Sequence, residues 1–122
     1  MASTNCESIL IVEDDTEIRE SLQELLELDG YKVFTANNGQ EAIDSLQSMP
    51  HPCLILLDMM MPVMNGWAFL EHRRSHDLLA IIPVIIVSAA TETRLSGLET
   101  QGIVKKPIDL DVLLKWIKQY CT

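Results

Sequence analysis

Residues 53–66 read CLILLDMMMPVMNG, and this stretch decides the fold. An unbroken apolar run leads into Asp58, and Pro62, Asn65 and Gly66 follow it. A short apolar run bounded by turn-forming residues is typical of a strand that is buried on both faces of a parallel sheet. Asp58 is therefore predicted to follow the carboxyl end of a central strand.

More strands and helices are predicted on both sides of this stretch. Residues 9–12, 84–87 and 103–104 are continuous apolar runs, and residues 31–36 alternate in the manner of an edge strand. Apolar residues at helical spacing separate these runs: Ile18, Leu22, Leu25 and Leu26, then Ala42, Ile43 and Leu46, then Phe69 and Leu70, and finally Leu110, Leu113, Leu114 and Ile117. Residues 91–101 are predicted to form one more short helix. Strands that alternate with helices indicate an α/β domain with one doubly wound parallel sheet.

The composition predicts one domain in the cytoplasm. A chain of 122 residues, 48% of them apolar, is expected to form a single domain over residues 1–122 with its core at about 7–120. The net charge of -9 opposes direct binding to nucleic acids and to anionic membranes. Cys6, Cys53 and Cys121 are odd in number and widely spaced, which indicates reduced thiols. No signal peptide and no membrane-spanning run are predicted.

Polar residues follow the predicted strands where each strand ends. Glu13 and Asp14 follow the first strand, and Asp58 follows the third. Ser88 and Lys106 follow the fourth and fifth strands. Each cluster alone has an ordinary explanation, such as Asp15 as a cap of the first helix, Ser88 as a strand-end hydroxyl and Lys106 as a solvated lysine. Together they would share one edge of a parallel sheet, which is where such sheets bind ligands.

These side chains suit the chemistry of a phosphoryl group. Mg²⁺ prefers oxygen ligands, which Asp14 and Asp58 can supply. The Asp58 carboxylate can act as a nucleophile towards phosphorus, while a metal ion and Lys106 offset the charge on the transferring oxygens. Ser88 can donate a hydrogen bond to a phosphoryl oxygen. The sequence therefore predicts a magnesium-dependent phosphoacceptor site.

From residue 9 to residue 117 the chain resembles the receiver domains of response regulators. The resemblance is carried by ILIVEDD at residues 9–15, LLDMMMPVMNG at residues 56–66, VSA at residues 87–89, and the Lys106-Pro107 step. It implies a flavodoxin-like, five-stranded parallel sheet of order 2-1-3-4-5. It also implies a receiver similar to the stand-alone chemotaxis regulators.

The resemblance implies roles for individual residues. Asp58 would accept the phosphoryl group from a sensor histidine kinase or a histidine phosphotransfer protein, and would then switch the binding of an unidentified downstream protein target. Asp14, Asp58 and the Met60 main-chain carbonyl would bind Mg²⁺, with Glu13 beside them. The peptide bond before Pro107 would be cis. The chain would be no enzyme beyond catalysing its own phosphorylation and dephosphorylation.

The sequence departs from the family pattern in three places. An aromatic switch residue is usual three positions before the lysine, but Ile103 stands there, so the signal is expected to pass differently. Fewer residues than usual separate the switch hydroxyl of Ser88 from Lys106, so the fourth helix is predicted to be shortened. Met60 and Ala90 cannot orient an attacking water, so we expect a long-lived phosphorylated form.

Three other functions compete with the phosphoacceptor. A metal-dependent phosphatase of the haloacid-dehalogenase type needs a second aspartate where Met60 stands. An FMN carrier needs a neutral, hydroxyl-rich loop where the sequence has Glu13, Asp14 and Asp15. A receiver-like module that binds its partner independently of phosphorylation remains an alternative, because Ile103 and the shortened helix allow it.

Two groups of residues lie outside this site: the histidines His51, His72 and His76, and, on the last helix, Val112, Trp116 and Tyr120. The histidines are predicted to lie on the solvated surface. The last-helix residues form a second apolar stripe, four residues apart. This stripe predicts either a surface for a partner or for self-association, or a shield over the edge of the sheet.

Overall fold

The computed structural model describes residues 8–89 and 100–120. The strands are β1 Ser8–Val12, β2 Lys32–Ala36, β3 Leu54–Leu57, β4 Val84–Ser88 and β5 Gly102–Lys105. They pair in parallel in the order β2-β1-β3-β4-β5. The predicted flavodoxin-like sheet of order 2-1-3-4-5 is therefore confirmed.

The described helices are α1 Thr16–Leu28, α2 Gly39–Leu46, α3 Gly66–Arg74, α4 Asp77–Ala80 and α5 Leu110–Tyr120. Asp15, Asn38 and Asn65 cap the first three, because each side chain accepts a main-chain N–H of the first turn. One helix, α4, is shortened to a single turn, and it precedes β4. The short helix predicted between β4 and β5 lies, apart from its last two positions, outside the described residues.

The central strands separate two apolar layers. Leu10 and Val12 of β1 pack with α2 and α3 on one face, whereas Ile9 and Ile11 pack with α1 and α5 on the other. All residues of β3 and β4 are buried, as their continuous apolar sequences predicted. The edge strand β5 is different, because among its apolar side chains only Val104 is buried.

Helix α5 differs in part from its predicted core stripe. Leu113 and Ile117 are fully buried, but the prediction was wrong for Leu110, which is 47% exposed. Leu110 is the first residue of the helix and borders an open groove beside α1. Trp116 packs over Gly102 of β5, where an added Cβ would lie 3.0 Å from the indole ring. This packing supports the interpretation of the second stripe as a shield over the sheet edge.

Cys53 corrects the expectation of three reduced thiols. It is disulfide-bonded, and the other two cysteines of the chain lie outside the described residues. The main-chain N–H of Cys53 donates to the carbonyl of Ser8 at 2.9 Å, which fixes this residue beside the start of β1. The spacing of the cysteines along the sequence predicted neither this position beside β1 nor the disulfide bond. Within the described part of the chain, no helix combines the length and the apolar character that crossing a membrane requires.

Candidate functional site

Four strand ends meet at one edge of the sheet and position the polar residues that the sequence singled out. The hydrogen-bonded ladders continue past the strands: the N–H of Asp58 donates to the Val12 carbonyl at 2.9 Å. The N–H of Lys106 donates to the Ser88 carbonyl at 3.0 Å. Glu13, Asp58, Ser88 and Lys106 are thus held by the backbone of the sheet itself.

Three carboxylates and one lysine form the centre of this site. Glu13, Asp14 and Asp58 each offer an oxygen atom, and these atoms lie within 4.8 Å of one another. Lys106 Nζ lies 3.0 Å from Glu13 Oε1 and 3.6 Å from Asp58 Oδ2. Glu13 is only 2% exposed and Asp58 only 3%, whereas Asp14 is exposed. The cluster is therefore largely withdrawn from water but open on one side.

The site has unbalanced charge. Burial raises the pKa of Glu13 to about 7. The hydrogen bond from Lys106 opposes this shift, whereas the charge of Asp58 adds to it. Burial likewise raises the pKa of Asp58, although its contacts with Glu13 and Lys106 oppose the shift. Burial alone would lower the pKa of Lys106, but its hydrogen bond to Glu13 and the carboxylate charges outweigh it and raise that pKa. One ammonium group does not neutralise three carboxylates, so the site favours a further cation.

The donor set fits Mg²⁺. Carboxylate oxygens are hard ligands, and Mg²⁺ is usually held by one or two of them together with phosphate oxygens and water. Among residues 8–89 and 100–120, the potential ligands of the cluster are Glu13, Asp14 and Asp58, with no thiolate or imidazole of the kind that softer metals prefer. The exposed side chain of Asp14 leaves the cluster accessible from solvent.

The loop after Asp58 is shaped by close backbone packing. The N–H of Met60 donates to Asp58 Oδ1 at 3.3 Å, and the N–H of Gly66 donates to the Met59 carbonyl at 2.9 Å. An added Cβ at Gly66 would lie 2.7 Å from the Cα of Met59, so only glycine fits this turn. Val63 has a φ of 68°, a strained conformation for a β-branched residue. Strain of this kind is common beside functional sites.

The remaining predicted residues surround the cluster. Ser88 is fully buried at the end of β4, and Ile103 is 39% exposed on β5, opposite Ile86. The peptide bond between Lys106 and Pro107 is cis, as the resemblance implied. Asp15 does not belong to the cluster, because its side chain caps α1 by accepting the N–H of Ile18 at 3.2 Å. That was its ordinary explanation from the sequence.

Sequence reasoning missed two contacts that support the site. Arg19 of α1 donates from Nη1 to the Glu13 carbonyl at 2.9 Å. The N–H of Gly39 donates to the Met64 carbonyl at 3.0 Å, and an added Cβ at Gly39 would lie 2.8 Å from the Met64 side chain. The glycine at the start of α2 was the available signal for this close approach. No sequence signal marked the contact of Arg19, because its partner is a main-chain atom.

The chain is similar to known proteins in both sequence and structure. A sequence model described as "Response regulator receiver domain" matches residues 9–118. The chain belongs to this family. Two curated relatives are similar over nine-tenths of the chain: the transcriptional regulatory protein CrdR of Helicobacter pylori is 40% identical over 92% of the chain and 54% of its own length. Response regulator RR06 of Streptococcus pneumoniae is 37% identical over 91% of the chain and 51% of its own length. The receiver thus spans about half the length of the curated relatives it matches.

Solved structures agree with this membership. The signal receiver domain of a signal transduction histidine kinase from Syntrophus aciditrophicus has a TM-score of 0.87 and 31% identity, over 93% of this chain and 89% of that one. The chemotaxis protein CheY4 of Vibrio cholerae has a TM-score of 0.84 and 28% identity, over 94% of this chain and 98% of that one. The receiver therefore has the same fold as domains from both a kinase and a chemotaxis protein.

Proposed function

We propose that this receiver accepts a phosphoryl group on Asp58 in a reaction that requires Mg²⁺, and that phosphorylation switches its binding to another protein. The observation that carries the proposal is the position of Asp58. It is a buried carboxylate at the end of the central strand β3, with the Lys106 ammonium 3.6 Å from one oxygen and two further carboxylates beside it.

Asp58 is the nucleophile in this proposal. One of its carboxylate oxygens forms a bond to phosphorus while the bond from phosphorus to the donor's leaving atom breaks, and the donor keeps that electron pair. The N–H of Met60 holds Oδ1, which limits rotation of the carboxylate. Burial at the strand end keeps the nucleophile in one orientation, so little freedom is lost in reaching the transition state.

Three groups would hold the metal ion: the side chains of Asp14 and Asp58 and the main-chain carbonyl of Met60. Glu13 would support them through its ion pair with Lys106, which is 3.0 Å long. Bound Mg²⁺ would offset the charge of the carboxylates and of the phosphoryl oxygens. Lys106, whose Nζ lies 3.6 Å from Asp58 Oδ2, would neutralise part of the added charge.

The switch would involve Ser88 and β5. A phosphoryl group adds roughly -1.5 to -2 charges and three acceptor oxygens. Ser88 would donate a hydrogen bond to one of these oxygens. Its carbonyl already accepts the N–H of Lys106 at 3.0 Å, so movement at the end of β4 would reach β5 directly. Ile103 lies on that strand and is partly exposed, which allows it to report the movement to a partner.

The partners follow from family membership. We propose a cytoplasmic sensor histidine kinase or histidine phosphotransfer protein as phosphodonor and a protein as downstream target, with no direct contact to nucleic acid or membrane. Self-association through α5 remains a prediction. Trp116 stacks parallel to Tyr120 with ring centroids 6.4 Å apart, and Val112 beside them is 41% exposed.

Intact-mass measurement after incubation with acetyl phosphate and Mg²⁺ tests the proposal. We expect one added phosphate on the unmodified protein, and none on Asp58→Asn or after removal of the metal. Asp15→Asn is the matched control, since it changes a neighbouring exposed carboxylate that serves as a helix cap. It should be phosphorylated as the unmodified protein is.

Absence of phosphate on a folded protein that binds Mg²⁺ would contradict the proposal. The phosphorylation-independent binding module would then replace it. Phosphate on Asp58→Asn would mean that another residue is the acceptor. Loss of phosphorylation in Asp15→Asn would show that the site depends on the general acidity of this edge rather than on the placement of Asp58.

A further inference from the structure

A groove formed by α2, α3 and α4 contains all three histidines of the chain. His51, His72 and His76 line it together with Asp77, and its volume is about 360 Å³. Most of the remaining wall is aliphatic. None of its residues belongs to the acidic cluster around Asp58. The sequence had predicted histidines on the solvated surface, and the fold brings them together in this groove.

Two of these histidines form a close pair. His72 lies in the last turn of α3 and His76 directly precedes α4. Their rings stack with centroids 4.1 Å apart and an interplanar angle of 23°. Two metal–nitrogen bonds of about 2.0–2.1 Å can join nitrogens that are no more than about 4.2 Å apart. In the stack the ring planes are nearly parallel, so the His72 ring would have to turn out of the stack before one nitrogen of each histidine could bind the same ion.

The tautomer of His76 is set by its neighbours. His76 Nδ1 lies 2.8 Å from the His72 carbonyl oxygen and 3.2 Å from Ser75 Oγ. A carbonyl oxygen can only accept, so Nδ1 carries the proton and Nε2 carries the free electron pair. A histidine that donates one ring N–H to a main-chain carbonyl is oriented in the way that metal-binding histidines usually are.

We propose that His72 and His76 bind a divalent transition metal ion of the zinc or nickel class, with His51 as third ligand from across the groove. Imidazole suits these metals, whereas the carboxylate cluster suits Mg²⁺, so the two sites take different ions.

The third ligand has to move. Among the residues that the structure describes, only Glu13, Asp14 and Asp58 already have three ligand atoms within 4.8 Å of one another. His51 is exposed between two prolines, in the segment that follows α2. Closing this segment onto the His72–His76 pair completes the site. Binding is therefore expected to restrain the connection between α2 and β3.

Calorimetric titration with Ni²⁺ in the presence of excess Mg²⁺, near neutral pH, tests the site. We expect one equivalent to bind, and His72→Gln and His76→Gln each to weaken binding by about tenfold or more. Asp14→Asn is the control for the acidic cluster and should bind Ni²⁺ as the unmodified protein does. His51→Gln, at an exposed position, should also weaken binding without affecting the fold.

Three outcomes would overturn the inference in whole or in part. Unchanged affinity in both His72→Gln and His76→Gln would remove the site. Loss of Ni²⁺ binding in Asp14→Asn would assign the ion to the acidic cluster. Unchanged affinity in His51→Gln would remove His51 from the ligand set. Circular dichroism of each variant excludes loss of folding as the cause of weaker binding.

Discussion

Two buried charged regions of this receiver are stabilised in different ways. Arg73 at the end of α3 is 6% exposed and donates to the main-chain carbonyls of Ile82, at 2.7 and 3.1 Å, and Ala80, at 3.0 Å. Glu13 and Asp58 are even less exposed, but they face each other and share one lysine. The first charge donates hydrogen bonds to neutral main-chain carbonyls, and the second region holds charges of one sign in excess.

The difference separates a structural charge from a functional one. The guanidinium of Arg73 ties α3 to the segment before β4, and its removal would leave buried carbonyl groups without their donor. Glu13 and Asp58 destabilise the metal-free fold, because burial penalises their ionised forms. The retention of the cluster at this cost fits the cation site that we propose for it, because proteins commonly trade stability for function.

The largest expected effect is the loss of Arg73. Arg73→Met should lower the free energy of unfolding by about 3 kcal/mol, because buried carbonyls lose a charged donor. Arg74→Met is the matched control: Arg74 is its neighbour and forms an exposed ion pair of 2.7 Å with Glu71, so the change should cost less than about 0.5 kcal/mol. Urea denaturation measures both. Equal effects at the two positions would refute the structural role of Arg73.

The second-largest expected effect is a gain in stability when the buried charge of Glu13 is removed. In chelator at a pH near 8, Glu13→Gln should raise the free energy of unfolding by about 2 kcal/mol, because it removes a buried charge whose pKa is about 7 in the folded protein. The unfolded chain has the ordinary, lower pKa, so between about pH 4.5 and 7 the folded state binds more protons. Metal-free stability should therefore fall as the pH rises through this window.

Thermal unfolding of the two proteins at several pH values provides the measurement. The unmodified protein should lose stability between about pH 4.5 and pH 7, and Glu13→Gln should lose less. The gain from the substitution should nearly vanish below about pH 4.5, where Glu13 is protonated in both the folded and the unfolded state. Parallel pH profiles for the two proteins would show that burial of Glu13 does not shift its titration.

The smallest expected effect is the stabilisation of the acidic cluster by Mg²⁺. Mg²⁺ at about ten times its Kd should stabilise the unmodified protein by about 1.4 kcal/mol, since it binds the folded state. Asp14→Asn should remove most of this gain, and the Arg73 region should not contribute to it. Differential scanning fluorimetry with and without Mg²⁺ measures the shift. An equal shift in Asp14→Asn would exclude that residue as a ligand.

Much of the sheet and of the site could be predicted from the sequence. Continuous apolar runs mark strands that are buried on both faces, and the strand ends bring Glu13, Asp58, Ser88 and Lys106 to one edge. The prediction failed where burial depends on distant neighbours. Leu110 has the spacing of a core residue, yet it lies beside an open groove. Cys53 is widely separated from the other cysteines in sequence, yet it is disulfide-bonded.

The sequence by itself determined the alternation of strands and helices and the identity of the groups at the strand ends, because periodicity and strand boundaries are local properties of the chain. Only the tertiary structure decided how these groups share charge. It placed Lys106 3.0 Å from Glu13, gave Arg73 its carbonyl partners, and stacked His72 on His76. Burial and distance set hydrogen bonds and pKa values, and both arise when segments far apart in sequence pack together.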